Sequence, residues 1–81
     1  MKLELYYYKQ CPFCRYVTNK IEELNIQDKI EYKNTLEVSE YRQEHLSITG
    51  RTTVPCLYIN GTPLFESQDI MKWLEDNKSS L

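Results

Sequence analysis

Two of the three cysteines in this chain stand close together, as Cys11-Pro12-Phe13-Cys14. A thiol pair at that spacing suits disulfide exchange or metal ligation. Structural zinc takes four ligands; beyond the pair the chain offers only Cys56 and its single histidine, His45, with no second pair at ligand spacing. No metal site is therefore expected, and redox chemistry is the better fit. The nucleophile in exchange is the thiolate. Pro12 suits the first turn of a helix, where no backbone donor is required. That puts Cys11 against the unpaired N–H groups and positive dipole end of a helix, a setting that lowers thiol pKa values from about 8.5 to between about 3.5 and 7.5. Lys9 and Arg15 flank the pair and add positive potential. Cys14, inside the first turn, is placed to resolve a mixed disulfide formed at Cys11. Cys56 follows Pro55 in an apolar stretch and reads as a buried, inert residue, with a reactive third thiol as the alternative.

The elements that position these residues follow from periodicity. Leu3, Leu5 and Tyr7 alternate with Lys2, Glu4, Tyr6 and Tyr8, a strand pattern rich in tyrosine. Phe13, Val17, Ile21 and Leu24 recur at helical spacing and predict an amphipathic helix directly after the pair. Ile30 to Lys33 reads as a second strand. Asn34 with Glu37 has helix-start character, and Val38, Tyr41, His45 and Ile48 continue at helical spacing until Gly50 stops the helix. His45 is read as an ordinary helix residue on or near the buried face. Val54 to Ile59 and Thr62 to Phe65 are strands joined by Asn60-Gly61, the dipeptide best suited to a two-residue hairpin. Ser67 reads as the cap of a last helix that turns Ile70, Trp73 and Leu74 inward. Lys78 to Leu81 read as a loose tail. The order is βαβαββα: an α/β fold with a four-stranded mixed sheet flanked by three helices.

At 81 residues the chain is expected to form one domain, residues 1–81. Ten basic against twelve acidic residues give a net charge of −2, which excludes a general electrostatic grip on nucleic acid or on an anionic membrane. A secretory signal needs an apolar core of about 7–15 residues, and Glu4 and Lys9 interrupt the only early candidate. No apolar run approaches the roughly 20 residues of a membrane span. A cytoplasmic, monomeric protein is expected, in a compartment where thiols stay reduced.

Two further segments bear on the pair. Thr53-Val54-Pro55 opens the third strand, where a proline is tolerated. About 5–6% of X–Pro bonds in folded proteins are cis, so the residues alone leave that bond unassigned. Glu66-Ser67 precedes the last helix, and Ser67 either caps it or helps its N–H groups hold a carboxylate.

Taken together, these features resemble the glutaredoxin family. Cys11-Pro12-Phe13-Cys14, the stretch Gly50-Arg51-Thr52-Thr53-Val54-Pro55 and the βαβαββα order carry the resemblance over nearly the whole chain. It implies a thioredoxin-like fold with a cis Pro55, Cys11 as nucleophile and Cys14 as resolving thiol. It also implies glutathione as co-substrate, with no tightly bound cofactor. Thr53, Val54 and Pro55 would meet the tripeptide, Val54 through backbone hydrogen bonds to its cysteinyl part, and Lys9 would lie near its glycine carboxylate. The last third departs from the usual pattern, a Gly-Gly pair followed by an acidic residue. Leu64-Phe65-Glu66-Ser67-Gln68-Asp69-Ile70 is similar instead to the Glu-Ser segment of the N-terminal, glutathione-binding domain of glutathione transferases. That likeness implies Ser67 against the γ-glutamyl carboxylate and Glu66 facing its ammonium group. A transferase would need an additional all-helical domain, for which 81 residues leave no room.

The resulting expectation is a glutathione-dependent thiol–disulfide oxidoreductase acting on disulfide-containing or glutathionylated proteins. Two alternatives stand beside it. One is a dithiol electron donor fed by thioredoxin reductase, although the thioredoxin hallmark Trp-Cys-Gly-Pro-Cys is absent. The other is an iron–sulfur or glutathione-binding module.

Overall fold

The computed structural model describes residues 1–81. Its elements are β1 (Leu3–Tyr7), α1 (Pro12–Glu23), β2 (Ile30–Asn34), α2 (Ser39–Thr49), β3 (Cys56–Ile59), β4 (Thr62–Phe65) and α3 (Ser67–Asn77), with short 3-10 turns at Gln27–Lys29 and Lys78–Ser80. The sheet order is β2-β1-β3-β4. β1 pairs in parallel with β2, and antiparallel pairing joins β1 to β3 and β3 to β4. This is the four-stranded mixed sheet with three helices that the periodicity predicts, in a thioredoxin-like arrangement.

β1 is paired along both edges, and its two faces are both buried. Leu3 and Leu5 join Leu57 of β3, Val17 and Ile21 of α1, and Ile70 and Leu74 of α3 in the main core. On the opposite face Tyr6, Cys56 and Tyr58 form a second, smaller cluster with Tyr41 of α2, Val54 and Phe65 packed against it. The Asn60-Gly61 hairpin has φ of 50° and 88° at its two central residues, the positive values that a type I′ turn requires. Gly50 ends α2 at φ 75°, donating its N–H to the Leu46 carbonyl across 2.8 Å.

Several local expectations are corrected. Phe13 does not face the core but is 60% exposed; Cys14, one position on, takes the inward place above Val17. Asn34 does not start α2. Its Oδ1 accepts from the N–H groups of Leu36 and Glu37, both at 3.0 Å, which closes a separate turn, and the helix begins at Ser39. Consequently Val38 and Ile48 lie outside the buried strip of α2, and His45 is its one fully buried side chain. Val54 and Pro55 precede β3 rather than belonging to it. The C-terminal residues are not a loose tail: the Lys78–Ser80 turn folds back and Leu81 packs on the main core.

Candidate functional site: a thiol pair beside a helix-capped groove

The chain leaves β1, turns through Lys9 and Gln10, and enters α1 with Cys11 as its cap residue and Pro12 in first position. Extended backbone at Cys11 (φ −78°, ψ 119°) directs its side chain over the helix end. The Cys11 sulfur accepts the Cys14 N–H across 3.3 Å, in the manner of a capping side chain. All three cysteines are thiols, and all are buried. Burial pushes the Cys14 thiol up to about 12, and the neighbouring Cys11 sulfur adds to the rise. Cys56 is likewise pushed up to about 12 by burial, in agreement with the inert reading of that residue.

A groove of about 580 Å³ runs beside this helix end, lined by Phe13, Thr53, Val54, Pro55, Glu66, Ser67, Gln68 and Asp69. Phe13 thus leaves the core to form a groove wall. The Val54–Pro55 bond is cis. On the far side α3 begins. Its cap residue is Glu66 rather than Ser67, which is the first helical position, and the first backbone bond runs from the Ile70 N–H to the Glu66 carbonyl at 3.0 Å. The first-turn N–H groups of α3 therefore open toward the groove, as helix N-termini that bind anions do. Glu66 adopts φ 72° and ψ 121°, a conformation that residues with a Cβ rarely hold. Such outliers gather at functional sites, where surrounding structure overrides the local preference.

Of the residues singled out from the sequence, Thr53, Val54, Pro55, Glu66 and Ser67 come together in this groove. Lys9 does not line it. It lies instead on a second cavity of about 470 Å³ together with Tyr7, Tyr8, Cys14, Arg15 and Tyr32. The residue that sequence reasoning undervalued is His45. Its Nε2 lies 2.7 Å from the Thr53 carbonyl and its Nδ1 2.7 Å from the Tyr58 hydroxyl, directly behind the groove wall. Its being the only histidine was the one available signal.

A mixed four-stranded sheet in the order β2-β1-β3-β4, flanked by three helices, defines a thioredoxin-like fold. Within that class the family is shown by sequence: residues 5–80 match the glutathione S-transferase N-terminal domain, and the chain belongs to that family. Among solved structures it is similar to an epsilon-class glutathione S-transferase from housefly, Musca domestica, at 27% identity and TM-score 0.78, over 99% of this chain and 37% of that one. Glutathione transferase E6 from Drosophila melanogaster is 29% identical at TM-score 0.76, over 95% of this chain and 35% of that one. A trimeric glutathione transferase from Leishmania is 31% identical at TM-score 0.74, over 95% of this chain and 17% of that one. The chain thus spans about a third or less of the length of these transferases. A thioredoxin-like protein, 21% identical and covered over 96% of its length at TM-score 0.74, shares the fold. No curated protein sequence matches.

Proposed function

We propose that this protein is a glutathione-dependent thiol–disulfide oxidoreductase. The observation that carries the reading is that α1, capped by the Cys11 thiol, contributes Phe13 to a groove whose far wall is the open N-terminus of α3. Glutathione has a carboxylate and an ammonium group at its γ-glutamyl end. The N–H groups and hydroxyl of Ser67 suit the carboxylate, and the Glu66 carboxylate suits the ammonium. Backbone groups of Thr53 and Val54, with Pro55 beside them, meet the cysteinyl part and bring its sulfur toward Cys11.

The chemistry follows. Cys11 thiolate attacks the glutathionyl sulfur of a mixed disulfide, forming a Cys11–glutathione disulfide and expelling the other thiolate. A second glutathione thiolate attacks the glutathionyl sulfur of that adduct. Glutathione disulfide leaves, and Cys11 returns as thiolate; the net reaction exchanges one free glutathione for the released thiol, which is reduced as that glutathione sulfur is oxidised. In the dithiol route the Cys14 thiolate attacks the Cys11 sulfur of the adduct and expels the glutathione thiolate; two glutathiones then reduce the Cys11–Cys14 disulfide and leave as glutathione disulfide. A reducing compartment such as the cytoplasm fits this cycle. Family membership supports the glutathione-binding part of the reading.

The family also favours a second reading, in which the bound glutathione sulfur itself attacks an electrophile. The two separate in the test. With glutathione, glutathione reductase and a glutathionylated peptide, exchange predicts turnover that Cys11→Ser abolishes. Conjugation to 1-chloro-2,4-dinitrobenzene without disulfide turnover would favour the transferase chemistry.

A further inference from the structure

His45 lies outside the groove, is fully buried, and contributes no atom to the chemistry above. Both of its ring nitrogens nevertheless have partners. The Thr53 carbonyl can only accept, so the nitrogen 2.7 Å from it, Nε2, carries the hydrogen. In the neutral ring Nδ1 is then the acceptor, and the Tyr58 hydroxyl 2.7 Å away donates to it. One neutral tautomer satisfies both partners. The ring is held in place by stacking on Tyr6, with centroids 5.2 Å apart, and by Phe65 at 5.7 Å.

What this clamp holds is the peptide between Thr53 and Val54. The cis bond is Val54–Pro55, so the Thr53–Val54 peptide is trans and planar. In a trans peptide the carbonyl and the N–H point in opposite directions. A Thr53 carbonyl drawn inward by His45 therefore turns the Val54 N–H outward, on the side where Val54 lines the groove. We infer that His45 is a positioning residue: by holding the Thr53 carbonyl it aims the Val54 N–H at the cysteinyl backbone of bound glutathione. The inference rests on the glutathione reading for its ligand, but the orientation of the Val54 amide belongs to the free protein as well.

The test uses His45→Leu, which removes both nitrogens, and His45→Gln, whose amide nitrogen reaches near the Nε2 position. Titration calorimetry with glutathione should show affinity about tenfold weaker in His45→Leu, the worth of one well-placed hydrogen bond. His45→Gln should recover most of that loss. In turnover the change should appear in KM for the glutathionylated peptide, with kcat and the reaction of Cys11 with 5,5′-dithiobis(2-nitrobenzoate) unchanged. Unaltered affinity in His45→Leu overturns the inference, as does a Gln variant no better than Leu, which would reduce His45 to packing.

If His45→Leu fails to fold, His45→Phe takes its place, since it keeps a ring in the packing but has no nitrogen for the Thr53 carbonyl: it should weaken glutathione by about tenfold, and unchanged affinity again overturns the inference. If the wild type itself binds no glutathione, the functional reading falls. The ¹⁵N–¹H resonance of Val54 in the free protein then decides His45 alone. A shift in His45→Leu that His45→Gln reverses upholds the orientation, and an unmoved resonance rejects it.

Discussion

The Cys14 N–H donates to the Cys11 sulfur across 3.3 Å, while the Cys14 thiol lies 1% exposed beneath the start of α1. The two thiols are therefore unequal. Cys11 sits at a helix cap with a backbone donor aimed at it. Cys14 is buried, and burial pushes it up to about 12, so little of it is thiolate near neutrality. A thiol in that state is a slow nucleophile.

The first prediction follows from this inequality. Cys11→Ser should reduce glutathionylated peptide no faster than the uncatalysed background, whereas Cys14→Ser should retain turnover, because glutathione itself resolves the adduct. A glutathione-reductase-coupled assay on both variants checks this. Equal loss in both would make the dithiol route obligatory. In the wild type, closure of the Cys11–Cys14 disulfide from the glutathione adduct should quicken by about tenfold per pH unit above neutrality, as the thiolate fraction of Cys14 grows. Quenched-flow trapping of the adduct measures it.

A second prediction concerns alkaline stability. Cys14 and Cys56 are both pushed up to about 12 in the folded chain, against about 8.5 unfolded. Between those values the unfolded chain has released protons that the folded chain keeps, so folding stability falls as pH rises. The slope is about 1.4 kcal/mol per pH unit for each thiol. The contribution is intact below about pH 8.5. Urea unfolding between pH 8 and 9.5 stays below the tyrosine range. Over that window Cys56→Ala should show a distinctly shallower decline than wild type, and an unchanged slope would contradict the assignment.

Much of the fold was legible because strand and hairpin signals are local. Asn60-Gly61 dictates its turn through positive φ, and the apolar repeat of α1 needs no knowledge of its neighbours. Helix starts were harder to read. Asn34 carries the side chain of a cap but spends it on a preceding turn, and Ser67 lost the cap position to Glu66, whose backbone no propensity would allot there. Motif and order placed Cys11 and Cys14 at the start of α1, and the resemblance singled out Val54 and Ser67, which share the groove. Lys9 shows the limit of that method. Near to Cys11 in sequence, it still faces a different cavity, because the Lys9–Gln10 turn redirects the chain. The partnership of His45 with Thr53 was unreadable, since it joins α2 to a loop only through tertiary packing.

A third prediction addresses the face of the sheet under α2. Lys33 and Glu4 form an ion pair at 2.7 Å with both side chains 12% exposed, and the Lys33 ammonium lies 5.3 Å and 5.4 Å from the Tyr6 and Tyr41 ring centres. Lys33→Met leaves the Glu4 carboxylate enclosed with only Lys2 nearby, at 3.9 Å. Removing one partner of a buried pair costs about 3 kcal/mol, and replacing both by apolar groups restores much of it. Denaturant unfolding should therefore find Lys33→Met markedly destabilised and the double variant Glu4→Leu, Lys33→Met less so. A double variant worse than the single one would show that the pair is not the relevant interaction.

The fourth prediction sets stability against binding at Glu66. Its φ of 72° with ψ of 121° lies where a Cβ is unwelcome, at a cost of order 1–3 kcal/mol. Glycine holds such a conformation without that cost but loses more entropy on folding, which returns part of the gain. Glu66→Gly should thus be the more stable protein by about 1 kcal/mol, while Glu66→Ala, which keeps the Cβ, should match wild type. Both remove the carboxylate proposed to face the γ-glutamyl ammonium. Because Glu66 is exposed, that contact is worth only about 0.2–1 kcal/mol, a loss of a few-fold in glutathione affinity. Thermal or urea unfolding gives the first comparison and calorimetry the second. A glycine variant less stable than wild type would refute the strain argument. Undiminished glutathione binding in both variants would remove Glu66 from the site while leaving Ser67 and the open end of α3 in place.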